Sequence, residues 1–314
     1  MTAAGTLAST SRDPRVRGVC PVLAVPFTER GEVDVAGFEA VLRAVLGTPV
    51  TAVMLFGFAS EFHKLADEER TELRRSLLRA TAGSGEVAAI ISITDHATEL
   101  AVRHAVEAAA AGADVLNILP PYLLGPSRGA VLYHLAAVLE AVDLPAIVQC
   151  APGLTGTSFD AQTLRELAAG HPNLGMVKVE STPPGRLIAD LATGAPPLPA
   201  LVGYAGVQLP DALRHGAVGV QPGCSFTEIY IAVWNAWERG EREQALDLHR
   251  RLLPYISYWM QNVELIIQVE KTILLRRGVI SSDRCRVPGW SLDREERAMI
   301  DQFLADFEPL LASS

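Results

Sequence analysis

Short apolar runs rich in β-branched residues alternate with longer segments of helical spacing through most of the chain. The runs are GVCPVLAVPF (18–27), TAVMLFG (51–57), VAAIISI (87–93), DVLNILP (114–120), PAIVQC (145–150), GMVKVE (175–180), PALVG (199–203) and AVGVQPG (217–223). Between them lie DEERTELRRSLLRATAG, TELAVRHAVEAAAAG, GAVLYHLAAVLEAV and DAQTLRELAAG, with the apolar spacing of amphipathic helices. Several of these segments close on glycine, as helix C-termini prefer. Strands alternating with helices imply parallel βα units. Eight units match a (β/α)8 TIM barrel, a fold of about 250 residues. A doubly wound open sheet would show a glycine-rich turn after its first strand, and VPFTERGEVD has no GxGxxG pattern.

After the eighth run the pattern becomes purely helical. SFTEIYIAVWNAWERGE, REQALDLHRRLLPYISYWMQNVELIIQVEKTILLRRG and SLDREERAMIDQFLADF predict three or four helices. Pro254 is expected to break or kink the long middle segment, and Ser291 to cap the last helix ahead of its acidic first turn. The predicted organisation is a loose N-terminal arm over 1–15, an α/β barrel over 16–224, and a C-terminal helical extension over 225–314 packed on the barrel.

Composition narrows the setting. The chain has 314 residues and is 49% hydrophobic, enough for a large core. A net charge of −9 argues against nucleic acid or an anionic membrane as partner. No apolar run approaches the roughly 20 residues that span a bilayer, and MTAAGTLASTSRDPRVRG lacks the apolar core of a signal peptide. Cys20, Cys150, Cys224 and Cys285 are widely spaced, with no CxxC pair and no histidine at ligand spacing. That pattern predicts free thiols in a cytoplasmic protein and no metal site. His104 and His134 fall in helix patterns and His171 and His215 in turns, which reads as structural; His63 alone lies near the loop after the second run. The Trp234–Trp237 spacing suits helix packing or an oligomer contact.

The sixth run holds the chemistry. Strand side chains alternate faces, so with Val177 and Val179 against the helix layer, Met176, Lys178 and Glu180 point into the barrel. An inward lysine at the C-terminal end of a barrel strand lies where this fold keeps its active sites. Desolvation there disfavours an ammonium and favours the neutral amine that attacks a carbonyl. The resulting imine acidifies the adjacent carbon and permits aldol cleavage or β-elimination. The competing reading is a structural lysine paired with a carboxylate such as Glu180. Gln149 shares the inward parity of Ile147, whereas Cys150 has the opposite parity and reads as a packed apolar group.

The order of motifs resembles the dihydrodipicolinate synthase/N-acetylneuraminate lyase family of Schiff-base barrel enzymes. The matching stretches are VLAVPFTERGEVD, GFASEFHKLADEER, NILPPYLLGPS, PAIVQCAPGLTGT, GMVKVES and GAVGVQPG, in order along almost the whole chain. The resemblance implies Lys178 as the Schiff-base lysine, no metal or organic cofactor, and a homo-oligomer, a dimer or tetramer. Three motifs depart from the family pattern. Its Gly-Thr-Thr-Gly-Glu loop is Gly57-Phe58-Ala59-Ser60-Glu61, its Tyr-Asn-x-Pro is Gln149-Cys150-Ala151-Pro152, and its Pro-Pro-Tyr-Tyr is Pro120-Pro121-Tyr122-Leu123. The usual hydroxyl relay is therefore missing. The 2-keto-3-deoxy-L-arabonate dehydratase branch is more similar, through Ser60-Glu61, LADEER (65–70), VQCAP (148–152), Lys178-Val179-Glu180 and GVISSDR (278–284).

The expected function is a dehydratase acting on a 2-keto-3-deoxy sugar acid such as 2-keto-3-deoxy-L-arabonate. Lys178, Gln149 and Glu180 are the expected catalytic residues, and Ala59, Ser60, Glu61, Tyr122, Gly203 and Gly206 are expected to bind this 2-keto acid. Proton transfer would fall to Glu61, Glu180, a water or the amine itself. Ser60 equally suits a helix cap, Glu61 a loop anchor, Tyr122 a packed loop residue, and the glycines tight turns. A pyruvate-dependent aldolase of the same family and a non-catalytic keto-acid-binding relative are the alternatives.

Overall fold

The computed structural model describes residues 12–82 and 85–311. Eight parallel strands are present: Gly18–Val19 (β1), Ala52–Leu55 (β2), Ala88–Ile93 (β3), Val115–Ile118 (β4), Ala146–Cys150 (β5), Leu174–Val179 (β6), Ala200–Val202 (β7) and Gly219–Val220 (β8). Their spatial order is β1-β8-β7-β6-β5-β4-β3-β2. The β1–β2 seam closes through a bridge between Val22 and Met54, where the Leu23 N–H donates to the Met54 carbonyl at 2.8 Å and the Met54 N–H to that of Pro21 at 2.9 Å. The chain is thus an α/β barrel, as its pattern predicts. The first apolar run yields only a two-residue strand because Pro21 and Pro26 carry no N–H for a continuous ladder.

Alternation along the strands separates two cores. Cys20, Val22, Met54, Ile90, Ile147, Met176 and Leu201 meet inside the barrel. Val53, Ile91, Leu116, Val148, Cys150, Val177 and Val179 face the surrounding helices, so the sixth strand has the predicted parity. Those helices are Val35–Leu46 (α1), Asp67–Thr81 (α2), Thr98–Ala110 (α3), Arg128–Glu140 (α4), the single turn Pro152–Thr155 (α5), Ala161–Gly170 (α6), Gly185–Thr193 (α7) and Leu209–Arg214 (α8). Asp34, Ser127 and Asp160 cap α1, α4 and α6 through their side-chain oxygens.

Four further helices follow: Thr227–Glu238 (α9), Arg242–Trp259 (α10), Val263–Arg276 (α11) and Arg294–Leu311 (α12). Of the expected break or kink at Pro254 the break does not occur, and the expected Ser291 cap is absent. Pro254 sits inside α10 without ending it. Pro254 and Arg250, whose carbonyl loses its helical partner, are both exposed, so that carbonyl is open to solvent, while Leu252, Tyr255, Ile256 and Trp259 hold the helix to the core. The break comes later, where Asn262 caps α11 by accepting from the Glu264 N–H at 2.8 Å. Ser291 does not cap α12. Asp293 and Glu296 accept from each other's backbone N–H at 2.8 and 2.9 Å, a reciprocal capping box.

Residues 1–11 of the expected loose arm lie outside the described residues, and its end is not loose. Arg15 pairs with Asp13 at 2.6 Å and Asp114 at 2.5 Å, and Val16 enters the inner core. Trp259 of α10 packs on Phe303 of α12 at 5.1 Å between ring centroids, and α11 packs on the 3-10 turn Phe58–Ser60 after β2. The helical extension therefore covers the mouth of the barrel. Among the described residues no helix is long and apolar enough to cross a membrane.

Candidate active site

Above the apolar layers, the next inward positions are polar. Ser92 (β3), Asn117 (β4), Gln149 (β5) and Lys178 (β6) are all buried, Lys178 with 4% of its surface exposed. Register places Asn117 beside Ser92 and Lys178 beside Gln149. The Asn117 amide donates to Ser92 Oγ at 3.1 Å and to Gln149 Oε1 at 2.9 Å. Gln149 Nε2 then donates to Glu180 Oε2 at 2.7 Å. Glu180 Oε1 accepts from the Tyr204 N–H at 3.1 Å and lies 3.4 Å from Lys178 Nζ. A chain of side-chain hydrogen bonds thus crosses four strands and ends on a carboxylate beside the amine. Both oxygens of that carboxylate are occupied, which fixes its position.

The Tyr204 N–H is delivered by an unusual turn. Tyr204, Ala205 and Gly206 all adopt the left-handed region, with φ of 54°, 48° and 65°, a conformation costly for the two non-glycine residues. The Tyr230 hydroxyl donates to the Ala205 carbonyl at 2.6 Å, and His249 Nε2 meets the Gly206 carbonyl at 3.0 Å. Burial pushes the Tyr230 phenol well above its ordinary range and the His249 imidazole down, so both hold this turn as neutral groups. Gly203 is required for a different reason. A Cβ there would lie 2.2 Å from Glu180 Oε1.

Lys178 and Glu180 face a cavity of about 70 Å³ at the mouth of the barrel. Val22, Phe58 and Ala59 line one part of it and Gln221, Pro222 and Gly223 another; Leu154 and Tyr204 border it. Met260, Val263, Ile266, Ile267 and Glu270 come from the helical extension. The amine is therefore buried, partnered only loosely, and faces a small cavity at the barrel mouth. A larger cleft of about 500 Å³ lies outside the barrel near Arg70, Asp95 and His104. It has no comparable amine, and His104 meets Asp95 there at 2.8 Å.

Of the residues singled out in the sequence, Lys178, Glu180 and Ala59 line the cavity. Gln149 reaches it only through Glu180, and Gly203 makes room for that carboxylate. Four others are turned elsewhere. Ser60 donates to the Leu23 carbonyl at 2.6 Å and accepts from the Phe56 N–H at 3.1 Å, fixing the loop from within. Glu61 is fully buried, paired with Lys271 and, at 3.1 Å, with Lys64. The Tyr122 ring packs on His96 at 4.7 Å, and Gly206 serves the turn. His63 meets Glu264 at 3.3 Å, near the surface. Cys150 is buried in the outer core, where desolvation raises its thiol.

Sequence reasoning missed Tyr204, Gln221 and Glu270. Gln221 follows outward-facing Val220 and so had a readable inward parity. Glu270 sits with Lys271 inside VELIIQVEKTILL, an adjacent pair of charges in the middle of a mostly apolar helical run.

The family model for the Dihydrodipicolinate synthetase family matches residues 15–306. The L-2-keto-3-deoxyarabonate dehydratase of Azospirillum brasilense is 26% identical over 315 residues, covering 96% of this chain and 98% of the relative. The 4-hydroxy-tetrahydrodipicolinate synthase of Chlorobium luteolum is 34% identical over 185 residues, 58% of this chain and 60% of the relative. Among solved structures, dihydrodipicolinate synthase from Rhodopseudomonas palustris matches with a TM-score of 0.86 at 24% identity, covering 94% of this chain and 99% of that one.

Proposed function

The chain belongs to the dihydrodipicolinate synthetase family and is a lyase, and from that premise we propose a dehydratase acting on a 2-keto-3-deoxy sugar acid through an imine on Lys178. The leading substrate is 2-keto-3-deoxy-L-arabonate, supported by the Azospirillum relative, whose similarity runs nearly end to end. One observation carries the reading: a buried lysine amine opens on a small cavity at the barrel mouth with a donor-held carboxylate 3.4 Å away.

The amine attacks C2 of the keto acid, and the carbonyl oxygen leaves as water. The iminium acidifies C3, whose proton passes to Glu180. Glu180 is the carboxylate beside the amine, and Glu61 is locked behind the wall by Lys64 and Lys271. Departure of the C4 hydroxyl follows, and hydrolysis of the conjugated imine releases product and amine. Gln149 stands where the family carries a tyrosine; its amide orients Glu180 instead of relaying a proton. Apolar side chains of the helical extension keep bulk water from the imine.

Product analysis with 2-keto-3-deoxy-L-arabonate tests this. Elimination retains every substrate carbon and releases no pyruvate to a lactate-dehydrogenase couple. Pyruvate release would favour the aldolase, and no turnover of any 2-keto-3-deoxy acid would favour a non-catalytic binder.

We also infer self-association. Leu124, 97% exposed beside exposed Leu123 on the loop after β4, supports the homo-oligomer the resemblance implies. A monomer by light scattering at micromolar concentration would contradict it.

A further inference from the structure

Resting on the dehydratase reading, we propose that Glu270, carried by the helical extension, is the general acid that protonates the departing hydroxyl. Glu270 lines the cavity that holds Lys178. It is buried, and its Oε2 accepts from the Ser225 N–H at 2.9 Å. Its Oε1 has no hydrogen-bond partner, and neither do the two amide atoms of buried Gln221. Leaving such groups unpaired in a buried site is costly. Two of them converging on one cavity mark the place where polar atoms of a ligand belong. Glu270 also touches the wall directly: a Cβ on Gly223 would lie 2.2 Å from its Oε1.

The two carboxyl groups of the cavity have opposite surroundings. Glu180 accepts from two N–H donors and faces the Lys178 amine, contacts that need its lone pairs. Glu270 accepts through Oε2 from the Ser225 N–H, and apolar Ile266 and Ile267 lie beside it along its own helix. Arg277 directs its hydrogen bonds to Glu228 and the Ser225 carbonyl and acts on Glu270 through its charge. Burial outweighs the hydrogen bonds from Ser225 and Cys224 and the charge of Arg277, and pushes the Glu270 carboxyl up to about 7, so a large share of it is protonated near neutral pH. Paired carboxyls with divergent environments divide acid from base.

The step balances without redox chemistry. After Glu180 has taken the C3 proton, the enamine electrons form the C3–C4 double bond as the C4–O bond breaks. The Glu270 proton goes to the leaving oxygen, and water departs. A solvent proton restores Glu270, and Glu180 returns its own to solvent.

Glu270→Gln keeps an acceptor for Ser225 and removes the acidic proton. Two readouts separate the acid from the imine: exchange of solvent deuterium into C3 of 2-keto-3-deoxy-L-arabonate, and elimination of water from it. The variant is expected to exchange at close to the wild-type rate while elimination falls about 100-fold or more. A 4-fluoro analogue, whose fluoride leaves without protonation, should be turned over by wild type and variant at similar rates. Elimination of water at the wild-type rate in the variant would overturn the assignment. So would a loss of exchange or of fluoride release as large as the loss of dehydration, which would mark a structural role. If the wild-type enzyme itself exchanged no deuterium, the Schiff-base reading would fail instead.

Discussion

A buried carboxyl that keeps its proton to about pH 7 leaves a thermodynamic signature apart from catalysis. The Glu270 carboxyl is raised from an ordinary 4.5 to about 7 by burial. Between those values the unfolded chain has lost the proton and the folded chain still holds it, so unfolding releases a proton and stability falls as pH rises. The contribution is complete below 4.5 and gone once pH has risen through about 7. At about 1.4 kcal/mol per pH unit, the loss over that interval is on the order of 3 kcal/mol. Glu270→Gln cannot titrate and escapes the loss. Urea unfolding of both proteins at pH 4.5 and pH 7.5 isolates the term, since every other titrating group is common to both. The variant should gain on the wild type by on the order of 3 kcal/mol across the interval, through a shifted midpoint at constant slope. Parallel pH profiles would refute the reasoning. A residue that weakens the fold at working pH is a usual mark of selection for activity over stability.

Gly203→Ala would drive a methyl group into the Glu180 carboxylate, 2.2 Å from its oxygen; turnover should fall about 100-fold through misplacement of the base. Steady-state kinetics check it, and a variant with wild-type turnover contradicts it. Burial pushes the Cys20, Cys224 and Cys285 thiols up to about 12 and raises Cys150, so at pH 8 all four are protonated and shielded. A disulfide reagent should label them only after denaturation, and rapid labelling of the native protein would show the packing to be wrong.

The barrel was legible because its signal is local. Eight runs with alternation or continuous apolar content need no knowledge of tertiary partners, and parity alone turns Lys178 and Gln149 inward and Cys150 outward. The loop after β2 was not legible in this way. Ser60 and Glu61 have side chains fit for a ligand, and only Leu23, Lys64 and Lys271, distant in sequence, show that they serve the wall instead. Glu270 escaped for a related reason. Its helix is apolar on most sides, and the rotation that aims Glu270 at the cavity and neighbouring Lys271 at Glu61 is set by packing on the barrel. The break expected at Pro254 does not occur because a proline inside a helix is tolerated where the freed carbonyl is open to solvent.

The central claim is covalent, and mass spectrometry after borohydride reduction in the presence of pyruvate or a 2-keto-3-deoxy acid tests it most directly. The account predicts one stable secondary-amine adduct, on the peptide carrying Lys178, and none in Lys178→Ala. An adduct confined to another lysine, or none with either keto acid, would contradict it.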